Sequence, residues 1–270
     1  MIVQSAPPGS PHFVITQVDH ARLSGQFACA FGNPQFAPLH PRELMEFVVA
    51  HHDEGWAEVD ANPKHDPRTG LPYHLTQTPM PDLLKTGAGS PAFNQRKHPF
   101  CGLLSSMHTY GLYHGRYGLS DKIVINLVPP EHRMEAQRML GGELERQAAL
   151  KEQLRSLPET AAWASDDFLF RCYKLLQFFD MLALYFNTTH PTERAPATFG
   201  HVPASPDGDV EVALTPRGDG YVLSPFPFAR DEMAFWCEGR YLWPSAEATD
   251  WGAVMRQTPP QREVVRLVAG

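Results

Sequence analysis

The amino-acid sequence predicts a mainly α-helical bundle with a small antiparallel β-sheet, and thus an α+β protein overall. Apolar residues recur at helical spacing in several stretches of the segment 18–190. Beyond this segment, short runs such as Val210–Leu214 alternate between apolar and polar residues, which is typical of strands. A chain of 270 residues with 43% hydrophobic residues is long enough to form one large domain with a real core. We expect a single domain over 1–270, in which a helical body at 18–190 carries a β appendage formed by 1–17 and 205–270.

The individual elements follow from local signals in chain order. Two strands, at 1–5 and 12–17, flank a Pro/Gly turn. Helical periodicity and capping residues predict helices at 19–28, 41–53, 100–114, 131–156 (broken or capped near Gly141 and Gly142) and 166–187. The segment 56–99 is rich in proline and glycine and lacks periodicity, so we expect an irregular cover over a functional pocket. C-terminal strands are expected at 210–214, 221–223, 234–241 and 263–267.

Composition excludes several classes of protein. The net charge is −7, from 23 basic and 30 acidic residues, which argues against a nucleic-acid partner because such binding needs a basic surface. No apolar run reaches transmembrane length and no secretory leader is recognisable, so we expect no membrane association and a cytoplasmic location. The four cysteines are widely scattered without a CxxC pair, which argues against a thiolate zinc site. The oligomeric state cannot be read from the sequence.

The stretch 48–56 carries the strongest chemical signal. An apolar helical run ends in His51, His52 and Asp53, and Gly55 then breaks the pattern. If the helix continues, His52 and Asp53 extend its buried face. A buried imidazole and carboxylate need a compensating partner, and a divalent metal is well suited to be one. The alternative is a plain helix terminus with histidines near its negative end.

Two other predicted helices offer further ligands. His20 lies on the apolar face of the first helix, and Asp180 lies inside the very apolar helix 166–187, where a solvated role is hard to explain. His108 lies on the apolar stripe of the helix 100–114; it is either a hydrogen-bonded core residue or an added ligand.

The order His, His-Asp, Asp, with each part on its own helix, resembles the HD-domain metalloprotein superfamily. This resemblance implies an HD-like helical bundle in which His20, His52, Asp53 and Asp180 hold one or two divalent ions such as Fe, Mn or Zn. A second resemblance covers nearly the whole chain and involves a family catalogued only as a domain of unknown function, number 3891. Its motifs match Ile15–Gln17 with Asp19 and His20, then His52–Trp56, Ser106–His108, Gly111–Tyr113, Gly115–Gly118 and Pro225–Phe228. It supports the same ligand set and suggests His108 as an additional ligand.

Three functions remain open from the sequence. The leading hypothesis, by resemblance, is a phosphohydrolase acting through a metal-bound hydroxide, with Glu54 or His51 accepting a proton. The main alternative is a non-haem diiron oxygenase, for which His74, His98 or His114 would have to supply further ligands. The third is a binding protein with a vestigial metal site.

The expected partner is a small anionic molecule. Arg116 is the best candidate to bind its carboxylate or phosphate, because the planar guanidinium matches both groups. The rings and flexible glycines around it suit the mouth of a pocket. The residues expected to contact the substrate are Arg116, Tyr113, Tyr117, Trp56 and Lys64.

Overall fold

The computed structural model describes residues 1–205, 208–247 and 250–270; four positions of the predicted β appendage, 206, 207, 248 and 249, lie outside the described residues. The described helices are α1 (Gln17–Ala30), α2 (Arg42–Ala50), α3 (Ala57–Ala61), α4 (Met80–Gln95), α5 (Pro99–Tyr113), α6 (Arg133–Arg155), α7 (Asp166–Thr188) and α8 (Trp251–Gln257). The described strands are β1 (Ile2–Val3), β2 (His12–Ile15), β3 (His65–Asp66), β4 (Leu71–Pro72), β5 (Ala197–Ser205), β6 (Gly208–Arg217), β7 (Gly220–Ser224), β8 (Glu232–Leu242) and β9 (Gln261–Ala269).

The sheet is much larger than the sequence predicted. Seven strands pair in the order β1-β2-β8-β9-β7-β6-β5, and β3 and β4 form a separate small hairpin. The sheet is mixed, because β7 and β9 run parallel while its other pairs are antiparallel. With 51% of the residues helical beside this curled sheet, the prediction of a mainly α, HD-like bundle with a small antiparallel sheet is wrong. The parallel pair joins strands about 45 residues apart in the chain, which local alternation cannot reveal.

Helices and sheet share one hydrophobic core. The main cluster of buried side chains includes residues of α1, α2, α5 and α7 together with residues of β5 to β9. Phe27 of α1 lies at its centre, with its ring 4.7 Å from that of Phe235 on β8 and 6.4 Å from that of Phe186 on α7. The same core therefore fixes α1 and α7 against the sheet and against each other. Among the described residues, no helix combines the length and apolarity that crossing a bilayer requires.

The segment 56–99 is not the irregular cover that its composition suggested. It contains the 16-residue helix α4, which has a proline in its first turn and Pro91 within it. The glycines of α4 interrupt its apolar pattern, because they allow close packing of the backbone. A Cβ on Gly89 would lie 3.1 Å from Gly55 Cα. Similarly, α6 runs unbroken through Gly141 and Gly142, where a break or cap was predicted.

Candidate metal centre

Five predicted ligands come together where α1, α2, α5 and α7 meet. His20, His52 and Asp53 form one group that can hold an ion, and His52, His108 and Asp180 form a second; within each group the ligand atoms lie within 4.8 Å of one another. Four of the five side chains are almost completely buried, with His20 and His52 each 1% exposed and His108 and Asp180 each 4% exposed. Asp53 is the most accessible, with 14% of its side chain exposed.

The start of α1 positions His20. Strand β2 ends at Ile15, and the hydroxyl of Thr16 caps the helix by accepting from the backbone N–H of Asp19. His20 follows in the first turn. Gly25 then lets α1 cross α2 closely, since a Cβ there would lie only 2.6 Å from Ala50 Cβ. This close crossing brings the end of α2 beside His20.

His52 and Asp53 lie beyond the end of α2, contrary to the prediction of a helix through residue 53. The helix ends at Ala50, and His51 and Asp53 have the dihedral angles φ −129°, ψ 17° and φ −109°, ψ 21°. On a continuous helix, adjacent side chains point about 100° apart. The turn releases this constraint, so both His52 and Asp53 face the centre.

Helix α4 braces this turn from outside. The Asn94 side chain donates to the carbonyl of His51 at 2.8 Å, and the hydroxyl of Ser90 accepts from the backbone N–H of Gly55 at 2.9 Å. A Cβ on Gly55 would lie 2.4 Å from the Thr86 carbonyl oxygen, so only glycine allows this approach. The segment expected to cover the pocket therefore supports its ligands.

Each of the three imidazoles is held through its outer nitrogen. His20 Nδ1 lies 3.0 Å from Asn187 Oδ1, and His52 Nδ1 lies 2.8 Å from the carbonyl oxygen of Val49. His108 Nδ1 lies 2.7 Å from the amide of Gln177, whose Oε1 is buried without a partner. Turning this amide about would let Oε1 accept from Nδ1–H. Outer hydrogen bonds of this kind orient metal-binding histidines and leave Nε2 free for the ion.

The inner nitrogens face two carboxylates. His20 Nε2 lies 3.0 Å from Asp180 Oδ1, while His52 Nε2 lies 3.4 Å from Asp53 Oδ2 and 3.7 Å from Asp180 Oδ1 without a hydrogen bond to either. Both nitrogens of His20 therefore face oxygen acceptors, and a neutral ring carries only one proton to donate. An imidazolium satisfies both acceptors, and so does a metal ion at Nε2.

The electrostatics of the centre also favour a cation. Burial alone lowers the pKa of His52, but Asp53 and Asp180 outweigh it and raise the pKa to about 9. Burial alone raises the pKa of Asp180, yet the hydrogen bond from His20 and the nearby His52 hold it well below its usual value. Burial raises the pKa of Asp53 and lowers that of His108 to about 3. At neutral pH the raised pKa of His52 keeps a proton on its ring beside Asp53 and Asp180, and a divalent ion at this position would supply positive charge in its place.

The predicted proton acceptors, His51 and Glu54, form a pair of their own. His51 Nδ1 lies 2.9 Å from Glu54 Oε2, and both side chains are partly exposed. The His51 ring packs against Phe47 and Phe93. Neither side chain contacts the five ligands, although both residues adjoin them in the chain.

Arg116 lies beside the centre on an unusual turn. Four consecutive residues, Gly115 to Gly118, have positive φ values of 61°, 52°, 56° and 90°. The Arg116 guanidinium has no hydrogen bond or ion pair to any residue in the described part of the chain. Its charge acts on two groups of the centre. Burial lowers the pKa of His108, and Arg116 lowers it further. Burial raises the pKa of Tyr173, and Arg116 opposes part of this rise. Tyr117 packs on Tyr173 at 5.1 Å, and both hydroxyls are buried without a hydrogen bond.

The side chains of the other expected substrate contacts have no hydrogen bond or ion pair to the side chains of the five ligands within the described residues. Tyr113 is buried in an apolar cluster with Leu84 and Ala136, and burial raises the pKa of its hydroxyl to about 12. Trp56 is buried after the His-Asp turn. Lys64 forms an exposed ion pair with Asp82.

The three further histidines have other partners. His74 Nδ1 accepts from the backbone N–H of Val3, and His98 Nδ1 accepts from that of Phe100 at the start of α5. His114 Nδ1 donates to the carbonyl of Tyr110. None of the three joins the five ligands.

The sequence interpretation missed Gln177 and Asn187, the two side chains of α7 that bond to the outer nitrogens of His108 and His20. Tyr173, Gln177, Asp180 and Asn187 are separated by four, three and seven residues, so α7 presents them on one face. Gln177 and Asn187 are buried polar residues in an apolar helix, which is the signal that had singled out Asp180. Applied to amides as well as carboxylates, that signal would have found both.

The fold and the site define a protein of helices packed on a curled, mixed seven-stranded sheet, with a cluster of three histidines and two aspartates that could hold a metal ion. A family model described as "Protein of unknown function (DUF3891)" matches residues 1–243, and the chain belongs to this family. Searches of curated proteins and of solved structures give no match.

Proposed function

We propose that the protein is a metal-dependent hydrolase of a small anionic substrate, with a phosphoester as the favoured substrate. The observation that carries this proposal is that three buried imidazoles, each held through Nδ1, lie beside two carboxylates. Nε2 of His20 and Nε2 of His52 face these carboxylates. His20, His52, Asp53, His108 and Asp180 would hold the ion. A divalent metal in such a set lowers the pKa of bound water towards neutrality.

The residues around the centre have distinct roles in this proposal. Arg116 binds the anionic group, because its guanidinium is unpaired among the described residues and its fork matches phosphate oxygens. Burial of His20, His52 and Asp180 excludes bulk water, which strengthens the attraction between Arg116 and the substrate. The pair of His51 and Glu54, which does not contact the ligands, would accept the proton through an intervening water.

The arrangement favours one ion at a time over a dinuclear oxygenase centre. The two possible ligand groups share His52, and its Nε2 has a single lone pair. His74, His98 and His114, which a second ion would need, bond elsewhere. One ion per chain is therefore expected.

The first experiment is elemental analysis of the purified protein before and after loading with Mn²⁺, Co²⁺ or Zn²⁺, followed by assay on a panel of phosphoesters. We expect about one ion per chain and hydrolysis that a chelator abolishes. The double variant His52→Ala/Asp53→Ala should lose the ion. The matched control His190→Ala/Asp231→Ala, which changes the same residue types outside the centre, should keep it.

Three results would overturn parts of this proposal. Full metal content in the His52→Ala/Asp53→Ala variant would remove the site assignment. Two irons per chain with uptake of dioxygen would replace hydrolysis by oxygen chemistry. Failure of the wild type to bind any of the three ions after loading would favour a binding protein with a vestigial site.

A further inference from the structure

A cleft lies on the opposite side of α5 from the metal centre. It is a cleft of about 740 Å³ between the end of α5, helix α6 and the short helical turn Val124–Leu127. None of the five candidate ligands lines it. Tyr110, which does, follows His108 by two residues, so the two side chains leave α5 about 200° apart. The cleft is therefore separate from the metal centre.

Helix α6 contributes one continuous face to this cleft. Its lining residues recur at spacings of four, three, one and three: Arg133, Gln137, Leu140, Gly141 and Leu144. This is the repeat that places side chains on one side of a helix. The face is cationic at one end and apolar at the other, so it suits a ligand that has both a charged and an apolar part.

Several solvent-exposed polar side chains that line the cleft are available to a ligand. Arg133 donates from Nε to the carbonyl of Val128, and its two terminal nitrogens have no partner within 1–205, 208–247 and 250–270. The side-chain amides of Asn126 and Gln137 have none within the same ranges. Arg133 is the only residue of fixed charge in the described lining, which contains no carboxylate. These groups are complementary to an anion.

One wall of the cleft is flat and aromatic. The rings of Tyr110 and His114 stack at 4.1 Å between centroids with planes 10° apart. Tyr110 also packs on Tyr117, with 5.8 Å between the ring centroids. Because both stacked rings line the cleft, another planar group can pack against them there.

Gly141 keeps the cleft open. A Cβ at this position would meet no atom within 4 Å, so no close packing requires glycine there. Glycine inside a helix lowers its stability relative to alanine. A larger side chain at Gly141 would occupy part of the cleft.

We propose that this cleft is a second ligand site, which binds a flat aromatic anion. The aromatic part stacks beside His114 and lies over Gly141, and the anionic group binds the terminal nitrogens of Arg133. Asn126 and Gln137 complete the hydrogen bonds. The proposal does not depend on the metal centre.

The test is isothermal titration of the full-length protein with 2-naphthoate, repeated with 2-naphthamide, which has the same shape without the charge. We expect 2-naphthoate to bind once per chain and 2-naphthamide to bind at least about tenfold more weakly. Gly141→Leu should fill the cleft and weaken 2-naphthoate binding at least about tenfold. Gly142→Leu is the matched control, because Gly142 also has open space around it but does not line the cleft; it should bind as the wild type does.

A second pair of variants covers the case in which Gly141→Leu does not fold. Arg133→Gln should weaken 2-naphthoate binding to a similar degree, whereas Arg138→Gln on the same helix should not. Binding should persist with a chelator present and in the His52→Ala/Asp53→Ala variant, which separates this site from the proposed hydrolase. Absence of saturable 2-naphthoate binding, equal binding of 2-naphthamide, or wild-type affinity in Arg133→Gln would each overturn the proposal.

Discussion

The outer hydrogen bond of each imidazole decides whether its inner nitrogen is ready for a metal. For His108 the partner is the side-chain amide of Gln177. The Oε1 atom of this amide is buried and has no hydrogen-bond partner in the described structure. With the amide turned so that Oε1 faces Nδ1, Gln177→Leu removes the acceptor for Nδ1–H at nearly constant volume. We expect metal affinity to fall by about 10- to 100-fold, the usual range for loss of such a partner.

The conservative variant separates orientation from packing. Gln177→Glu keeps an oxygen acceptor for Nδ1–H, so it should bind metal at least as well as the wild type. Affinities are measured by competition with a chromophoric chelator, and circular dichroism checks the fold. Equal affinity of Gln177→Leu and the wild type would show that the amide does not position His108.

The backbone that positions the Arg116 side chain is strained. A left-handed conformation costs a residue other than glycine roughly 1–2 kcal/mol, and Arg116 and Tyr117 both adopt it. Such strain persists where surrounding structure enforces it, often at functional sites. We expect Arg116→Gln to lower kcat/KM for a phosphoester at least about tenfold, with metal content unchanged.

The control for Arg116 is Arg217→Gln, which removes an exposed arginine at the end of β6. It should leave kcat/KM unchanged. If Arg116→Gln loses the metal as well, Arg116 supports the centre and does not bind substrate. If it retains full kcat/KM, it has neither role.

Among the structural elements, α4 has the clearest effect on the site, because it holds the His-Asp turn through Ser90 and Asn94. Gly55→Ala would place a methyl group 2.4 Å from the Thr86 carbonyl oxygen and force the two elements apart. We expect the free energy of unfolding to fall by about 2 kcal/mol or more. Metal affinity should fall too, since His52 and Asp53 would move with the turn. Chemical denaturation and metal titration measure the two effects.

A glycine of α6 should respond to replacement by alanine in the opposite way from Gly55, with a higher free energy of unfolding. Gly142 has no atom within 4 Å of an added Cβ and lies in the interior of an unbroken helix. Gly142→Ala should therefore raise the free energy of unfolding by about 0.5–1 kcal/mol, through the higher helix propensity of alanine. Metal affinity should not change. A destabilised Gly142→Ala variant would mean that the glycine serves a packing or conformational need not evident from the fold.

At the scale of the whole molecule, the sequence predicts features that depend on local patterns, such as helices, better than strand pairings between distant segments. Periodicity indicated α1, α5 and α7, and a buried acid in an apolar helix singled out Asp180. The sheet was underestimated because its pairings are non-local. Strand β5 contains Gly200 and Pro203 and bulges where His201 has a positive φ, so its alternation is disrupted. The end of α2 was misplaced because its apolar pattern continues into a turn.

The link between the N-terminal strands and the helical body predicts how the whole fold responds to acid. His74 accepts from the backbone N–H of Val3 at 3.1 Å, which requires an unprotonated Nδ1. Burial, with the nearby N-terminal ammonium group, lowers the pKa of His74 to about 4, whereas an unfolded histidine has a value near 6.5. Between these values the unfolded chain binds more protons than the folded one, so stability falls as the pH falls from about 6.5 to about 4. The expected loss from this group is up to about 3 kcal/mol.

Replacing the imidazole with an acceptor that does not titrate should flatten this dependence. His74→Gln can retain a hydrogen bond from Val3, so its unfolding free energy should decline less than that of the wild type between pH 7 and pH 4. His201→Asn, which changes an exposed histidine of β5 to a residue that tolerates positive φ, should follow the wild-type curve. Urea denaturation at several pH values gives the comparison. Parallel curves for His74→Gln and the wild type would mean that protonation of His74 does not oppose folding.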